Sequence, residues 1–396
     1  MKNKLMLLLF LSFVSLSTAW SVSYEFTLEN TTSSDLIDYV VEIPWSRMSD
    51  LPTGSFIADD GRVKVPVELT ADLKGEAFFI FPVAVLPAGE KRTFKIQPGE
   101  VHEYPKRTYA EIAHKIGGQF VGHKYEGGYS WVKPNYLKLP GTFRDHAYYI
   151  KYEGSGWESD KVAFRCYLDQ RNAIDVFGKK TPQIVLPFVG VDGYDNYHEM
   201  ADWGMDNMKV GDALGIGTIA AWDGTKAVRV EKRDSLESYI PADGKIRSQV
   251  KTTYYGWNVN NVTCNLQSLL TIDAGSRASH MELLADKDIP LCTGIVKDKN
   301  GELFRGESGQ WAYLATFGQQ SLNNDNMGLA IFYKKNQLQE ITEDKLNHVL
   351  VFKPQKGYVE YYFMPTWELD WEPVVTKADF QRCINEVLNR LNKPFF

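Results

Sequence analysis

The stretch WESDKVAFRCYLDQRNAIDVFGKK, residues 157–180, decides how the chain is read. In its middle, Val162, Phe164, Cys166 and Leu168 alternate with Lys161, Ala163, Arg165 and Tyr167. Side chains of a strand point to opposite faces with a period of two, so this is a half-buried β-strand, with the apolar set towards a core. Arg165 is then expected on the open face. Trp157, Glu158 and Asp160 stand just before it, and Asp169, Arg171 and Asp175 just after. If that face is concave, the guanidinium fork suits a carboxylate. If it is convex, the same charges form surface ion pairs that contribute little.

The same pattern extends in both directions. From Val22 to about Gly99, short β-runs such as DYVVEIPW, RVKVPVEL and EAFFIFPVAV are separated by turn residues, which suggests a small antiparallel sandwich over 20–100. VHEYPKRTYAEIAHK, residues 101–115, reads as a connector with a short helix. Beyond it GIGTIAAW, KAVRVEKRD, LQSLLTID, GLAIFYK, LNHVLVFKP and GYVEYYFMP are further strands, with almost nothing helical between them. No period of ~20 to 50 residues recurs, so a solenoid or propeller is disfavoured and one large sandwich over 101–375 is expected. The tail 376–396 differs. Phe380, Cys383, Ile384, Val387, Leu388 and Leu391 form an amphipathic helical stripe, and Thr376 with Asp379 looks like an N-cap and its acidic partner.

The N-terminus, MKNKLMLLLFLSFVSLSTAW, combines two lysines, a short apolar run and small residues before Trp20, the pattern of a signal peptide over 1–19. Export to the periplasm or beyond follows, and no later run approaches the ~20 apolar residues of a membrane span. The net charge of −6, with both signs interspersed, argues against a nucleic-acid partner. The four cysteines form no CxxC pair, so they read as free or structural and a zinc site is disfavoured. No metal site and no cofactor are predicted. Calcium is considered only for acid-and-glycine turns such as VDGYDNY, which lack EF-hand spacing.

Four segments hold more polar and aromatic residues than strands need. AHKIGGQFVGHKYEGGYSW offers His114, His123 and Tyr125 among paired glycines, as a ligand-binding loop or a plain hairpin. The Arg165 segment is the second. The third, YHEMADWGMDNMKVGDALGIG, residues 197–217, offers Tyr197, His198, Trp203, Asp206 and Lys209. His198 can exchange a proton near neutral pH, but the second histidine of a zinc-protease motif is missing. The fourth, YYFMPTWELDWEP, puts Trp367 beside Glu368 as a stacking platform or as a cap on the core.

The runs WESDKVAFRCY, IDVFGKK and YHEMADWGMDNMKVGDALGIG closely resemble the secreted Bacteroidetes family known as Domain of Unknown Function family 4861. Trp157, Glu158, Asp160, Ala163, Arg165, Asp175, Lys179, Tyr197, His198, Gly204, Asp206, Lys209, Gly211, Leu214, Gly215 and Gly217 match its pattern, while Ser159 and Ala213 depart from the commoner Asn and Ser. The resemblance implies a mostly β-fold whose large antiparallel sandwich is shaped like galactose mutarotase. It also implies a setting in the breakdown of uronate-containing polysaccharides.

These readings lead to a secreted carbohydrate-active enzyme with a glycan substrate. It would be a lyase slightly before a glycoside hydrolase, with a sugar epimerase or mutarotase and a non-catalytic glycan-binding module as alternatives. Elimination needs a cation for the uronate carboxylate (Arg165 or Lys209) and proton-moving groups (His198 with Tyr197, or His114 or His123). Hydrolysis needs two carboxyl groups across one bond, drawn from Glu158, Asp160, Asp206 and Glu368. Trp157, Trp203 and Trp367 are the expected stacking surfaces, with Tyr125 beside them. The reading stands or falls on Arg165 and His198 meeting at one hollow.

Overall fold

The computed structural model describes residues 22–128, 130–191 and 196–392, so the expected signal peptide lies outside the described residues. The protein is built from antiparallel sheets and one α-helix near the C-terminus. Six strands within 24–98 form the first sheet, curled around Val41, Ile43, Phe79, Phe81, Phe94 and Ile96. Ile43, Phe94 and Ile96 alternate with more exposed neighbours, whereas strand Ala77–Leu86 is buried on both faces from Phe79 to Val83.

The remaining strands make a nine-stranded, a six-stranded and a five-stranded sheet and a small hairpin of Gln119–Val121 with Lys124–Glu126, and one continuous apolar cluster joins the inner faces of the three larger sheets. The alternation in the opening stretch holds in three dimensions. Phe164 and Cys166 of strand Ala163–Tyr167 enter this cluster, as do Ile174 and Val176 of the next strand, Ile174–Lys179. Phe164 stacks on Trp157 with ring centroids 5.3 Å apart and meets Phe363 of the opposite sheet edge-on at 5.5 Å. Truncating a fully buried Phe to Ala typically costs about 3–5 kcal/mol, so Phe164→Ala strikes the joint between the two layers.

Two expectations need correction. Residues 101–115 contain no helix; strand Thr108–Ile116 runs there, because Ala110 and Ile112 continue the period-two burial towards the core. The Arg165 face is not open. Residues 185–189 and Tyr197 fold over it, and Val185, Leu186, Val189 and Tyr197 pack on Tyr152, Ala163 and Phe177 of that face.

The helix Lys377–Leu391 starts with a capping box. Asp379 N donates to Thr376 Oγ1 at 3.1 Å, and Thr376 N donates back to Asp379 Oδ2 at 2.9 Å. Its buried residues Phe380, Ile384, Val387 and Leu388 cover the outer face of the nine-stranded sheet at strands Trp311–Gly318 and Met327–Lys334. The first sheet is tied to the rest by Arg107, whose guanidinium binds Asp38 at 2.7 Å and Asp160 at 2.6 Å. The four cysteines are unpaired.

Candidate functional site

Antiparallel register assembles the site. Arg165 lies opposite Asp175 on the neighbouring strand, and Asp206 joins through strand Gly204–Asp206, which pairs with Ile174–Lys179 on its far side. The period of two points Arg165, Asp175 and Asp206 away from the apolar core and under the covering segment. Gly204 is required where that third strand closes. Its φ is +131°, and a Cβ there would stand 1.8 Å from the Gly178 carbonyl oxygen. Gly215 has the same role further on, with φ at +60° and the Ile174 carbonyl oxygen 2.3 Å from a would-be Cβ. The glycines of the 197–217 segment therefore fit backbone closely against the strand that carries Asp175.

Arg165 is 1% exposed, and its donors are committed. Nη2 donates to Asp175 Oδ2 at 2.7 Å and to Asp206 Oδ2 at 2.6 Å, while Nη1 donates to the Tyr197 hydroxyl at 2.7 Å. The rings of Tyr167 and Tyr197 flank the guanidinium, 4.5 and 4.9 Å from their centroids. A guanidinium so enclosed neutralises the protein's own carboxylates and has no fork to offer a substrate. Burial and the neighbouring Asp206 push the Asp175 carboxyl upward, against the pull of Arg165.

His198 is the group that emerges. Its Nδ1 stands 3.1 Å from the same Asp206 Oδ2 that Arg165 holds, and its side chain is 40% exposed. The hydrogen bond to Asp206 raises the imidazole pKa, and burial opposes it. With Nδ1 facing a carboxylate, the proton of the neutral ring belongs on Nδ1 and the Nε2 lone pair is left available. His198 lines a hollow of about 620 Å³ together with Tyr167, Asp175 and Lys209, and Lys297 and Lys345 also border it. Lys209 reaches Asp298 only at 3.5 Å and Asn324 Oδ1 at 3.3 Å. Thus Arg165 and His198 converge on one carboxylate, with His198 at the surface of the hollow and Arg165 behind it.

Other expected site residues lie elsewhere. Glu158 is fully buried, paired with Lys179 at 2.9 Å, and it accepts from the backbone N–H groups of Val185 and Leu186, so it anchors the covering segment. Trp157 is a core residue that donates to Ser279 Oγ at 2.9 Å. Asp160 serves the Arg107 joint and accepts from Gly275 N at 2.8 Å. Trp367 is buried, with Nε1 on Asp325 Oδ1 at 2.5 Å, and Glu368 accepts from Asn326 N at 2.9 Å. Trp203 packs edge-on against Phe177 within the cover. His114 stacks on Tyr149, Tyr125 joins that aromatic cluster, and His123 is exposed at the adjoining hairpin. In each case a strand face or tight turn directs the side chain away from the hollow.

Sequence reasoning did not select Asp175, Tyr167, Lys297 or Lys345 as site residues. Alternation marks Asp175 and Tyr167 as sharing Arg165's face, whereas the two lysines arrive from loops distant in sequence with no local signal. Among the described residues, no group of three or more His, Cys, Asp or Glu stands close enough to hold a metal ion. Most of the VDGYDNY turn, at 192–195, lies outside the described residues.

Similarity to known proteins is limited. Uncharacterized protein P7 of Formosa agariphila is 25% identical over 269 residues, which cover 60% of this chain and 65% of that protein. The chain thus spans slightly less than two thirds of that relative's length. Among solved structures, a glycosyl hydrolase family 38 protein from Enterococcus faecalis aligns with a TM-score of 0.46 and 9% identity, over 94% of this chain and 48% of the other. A putative aldose 1-epimerase from Klebsiella pneumoniae aligns at 0.27 and 6%, over 94% and 97% of the two chains. Likeness this low carries no argument about reaction. Residues 28–396 match the family described as Domain of unknown function (DUF4861), and the chain belongs to that family.

Proposed function

We propose that the protein is an exported carbohydrate-active enzyme that cleaves uronate-containing glycans by β-elimination, with His198 as the proton-moving group. The observation that carries this reading is a half-exposed imidazole, oriented from behind by Asp206, in a hollow bordered by Lys209, Lys297 and Lys345. Lys297 is held by Glu343 and the Asp344 carbonyl, so Lys209 and Lys345 are the cations that favour an anionic sugar. Lys209, held only by long contacts, is the cation we assign to the uronate carboxylate. Neutralising that carboxylate acidifies the C5 proton. His198 Nε2 then takes the proton, the C4–O bond breaks with its electron pair on oxygen, and a C4–C5 double bond forms. The imidazolium returns the proton to the departing oxygen.

The carboxylates at this centre argue against hydrolysis. Asp175 and Asp206 both accept from one Arg165 nitrogen, so the guanidinium fills the space a glycosidic bond would need between them. Incubation with pectic, ulvan-like and glycosaminoglycan oligosaccharides tests the proposal. Growth of the unsaturated-uronate absorbance on one of them is the expected result, lost in His198→Ala. New reducing ends without that absorbance would make the protein a hydrolase, and saturable binding without either product would make it a binding module.

A further inference from the structure

A second cavity, of about 660 Å³, lies on the outer face of the nine-stranded sheet, between the N-terminal sandwich and the end of the C-terminal helix. This is the size of a small-ligand site, at ~300–1,000 Å³. Its floor is a row of one residue from each of four neighbouring strands, Gln249, Thr271, His280 and Tyr362, in direct cross-strand register. One step along the last two strands, Glu282 and Glu360 stand directly opposite each other. Like charges in that position cost stability in a sheet, and Lys334 and His280 offset only the Glu360 side of the pair. Ionisable groups gathered at an unfilled cavity mark a binding position more often than a structural one.

The charges of the cleft indicate what it would take. Arg247 is held by Glu42 at 2.5 Å and by Asp273 at 2.6 Å. Lys334 is held by Glu360 at 2.5 Å, Arg390 donates to the Ile37 carbonyl, and Lys74 sits over the Tyr358 ring at 3.7 Å. Arg247 and Lys334 are ion-paired, so an anionic ligand would have to compete with a carboxylate for either of them. Glu282, by contrast, has no ion-pair partner among the described residues; it accepts from the Tyr358 hydroxyl at 2.8 Å and from the Leu73 N–H, 3.4 Å from each oxygen, and with only these two donors the carboxylate retains acceptor capacity. Aromatic surface is present as well. Tyr362 stacks on His280 at 4.1 Å and meets Trp311 edge-on at 5.5 Å. Spare carboxylate acceptors beside flat rings suit a ligand with many hydroxyl donors and an apolar face.

We propose that this cleft is a second sugar-binding site, for the uncharged, hydroxyl-rich units of a glycan, distinct from the hollow at His198. Glu282 accepts from sugar hydroxyls, and the exposed part of the Tyr362 ring meets the sugar's apolar face. The site does not depend on elimination at His198, and the two can fail separately. The test is calorimetric titration of the full chain with neutral oligosaccharides of xylose, galactose and rhamnose, and with uronate oligosaccharides. At least one neutral series should bind saturably, about 10-fold or more weaker in Glu282→Gln and in Tyr362→Leu, and unchanged in His198→Ala. Should a cleft variant fail to fold, amide hydrogen-exchange labelling of the unaltered protein replaces it, and bound neutral sugar should slow exchange in strands Ser279–Ala285 and Tyr358–Trp367. The proposal is overturned if no neutral series binds, if binding follows His198 and not the cleft, or if neither the variants nor the labelling respond.

Discussion

The outer faces of the two large sheets bury charge in different ways. Over the six-stranded sheet the chain covers itself: Arg165 binds Asp175, Asp206 and Tyr197 from behind, and of the groups on Asp206 Oδ2 it is His198 that reaches the hollow. Over the nine-stranded sheet the cover comes from the N-terminal sandwich and the helix end, which leave a cavity where they meet. Arg247 and Lys334 there are ion-paired, while Glu282 keeps spare acceptor capacity. The first face resembles a preorganised proton-transfer centre, and the second a recognition surface. The contrast teaches that a closed charge network needs one emergent group to act on a ligand, whereas an incomplete network can itself recognise one.

The largest expected effect that separates the two faces is on stability. Arg165→Met leaves Asp175 and Asp206 buried side by side without their cation and should cost about 3–5 kcal/mol in denaturant unfolding. Glu282→Gln keeps a Tyr358 acceptor and should stay within about 1 kcal/mol of the parent. Equal losses in both variants would erase the distinction.

The next contrast is in pH. The raised pKa of His198 means that its contribution to stability is complete below its ordinary value, ~6.5, and is lost as pH rises through the folded value. Glu360 runs the other way. Burial pushes its carboxyl up, but His280 and Lys334 more than offset this and hold it at about 2. Its contribution is therefore present above the ordinary ~4.3 and is lost as pH falls towards 2. Melting temperatures of Glu360→Gln should differ most from the parent near neutrality and converge with it in acid; those of His198→Ala should differ most in mild acid and converge in alkali. The smallest expected effect is at Lys209. Lys209→Ala should lower kcat/KM for a uronate oligosaccharide roughly 10-fold, about 1.4 kcal/mol, with kcat falling as well, and with little change in stability.

Much of this was legible in the sequence. Alternation at 161–168 gave the strand and its core face, and the Phe380–Leu391 stripe behind Thr376 gave the helix. At 101–115 acids and basic residues masked the period-two burial of Ala110 and Ile112, so a strand read as a connector. The segments of Arg165, Tyr197, His198 and Asp206 were singled out by composition and by family resemblance. Their depth was not visible, because the cover consists of PQIVLPFVG, an apolar run that periodicity alone does not place. The second cleft draws on three parts of the chain far apart in sequence, and no local pattern encodes their meeting.

Chemical rescue tests the central claim most directly. In His198→Ala, supplied with a uronate oligosaccharide the parent cleaves, added imidazole should restore formation of the unsaturated product in proportion to its free-base concentration. Full activity of the variant without imidazole would contradict the assignment of His198, as would a folded, inactive variant that imidazole leaves inactive.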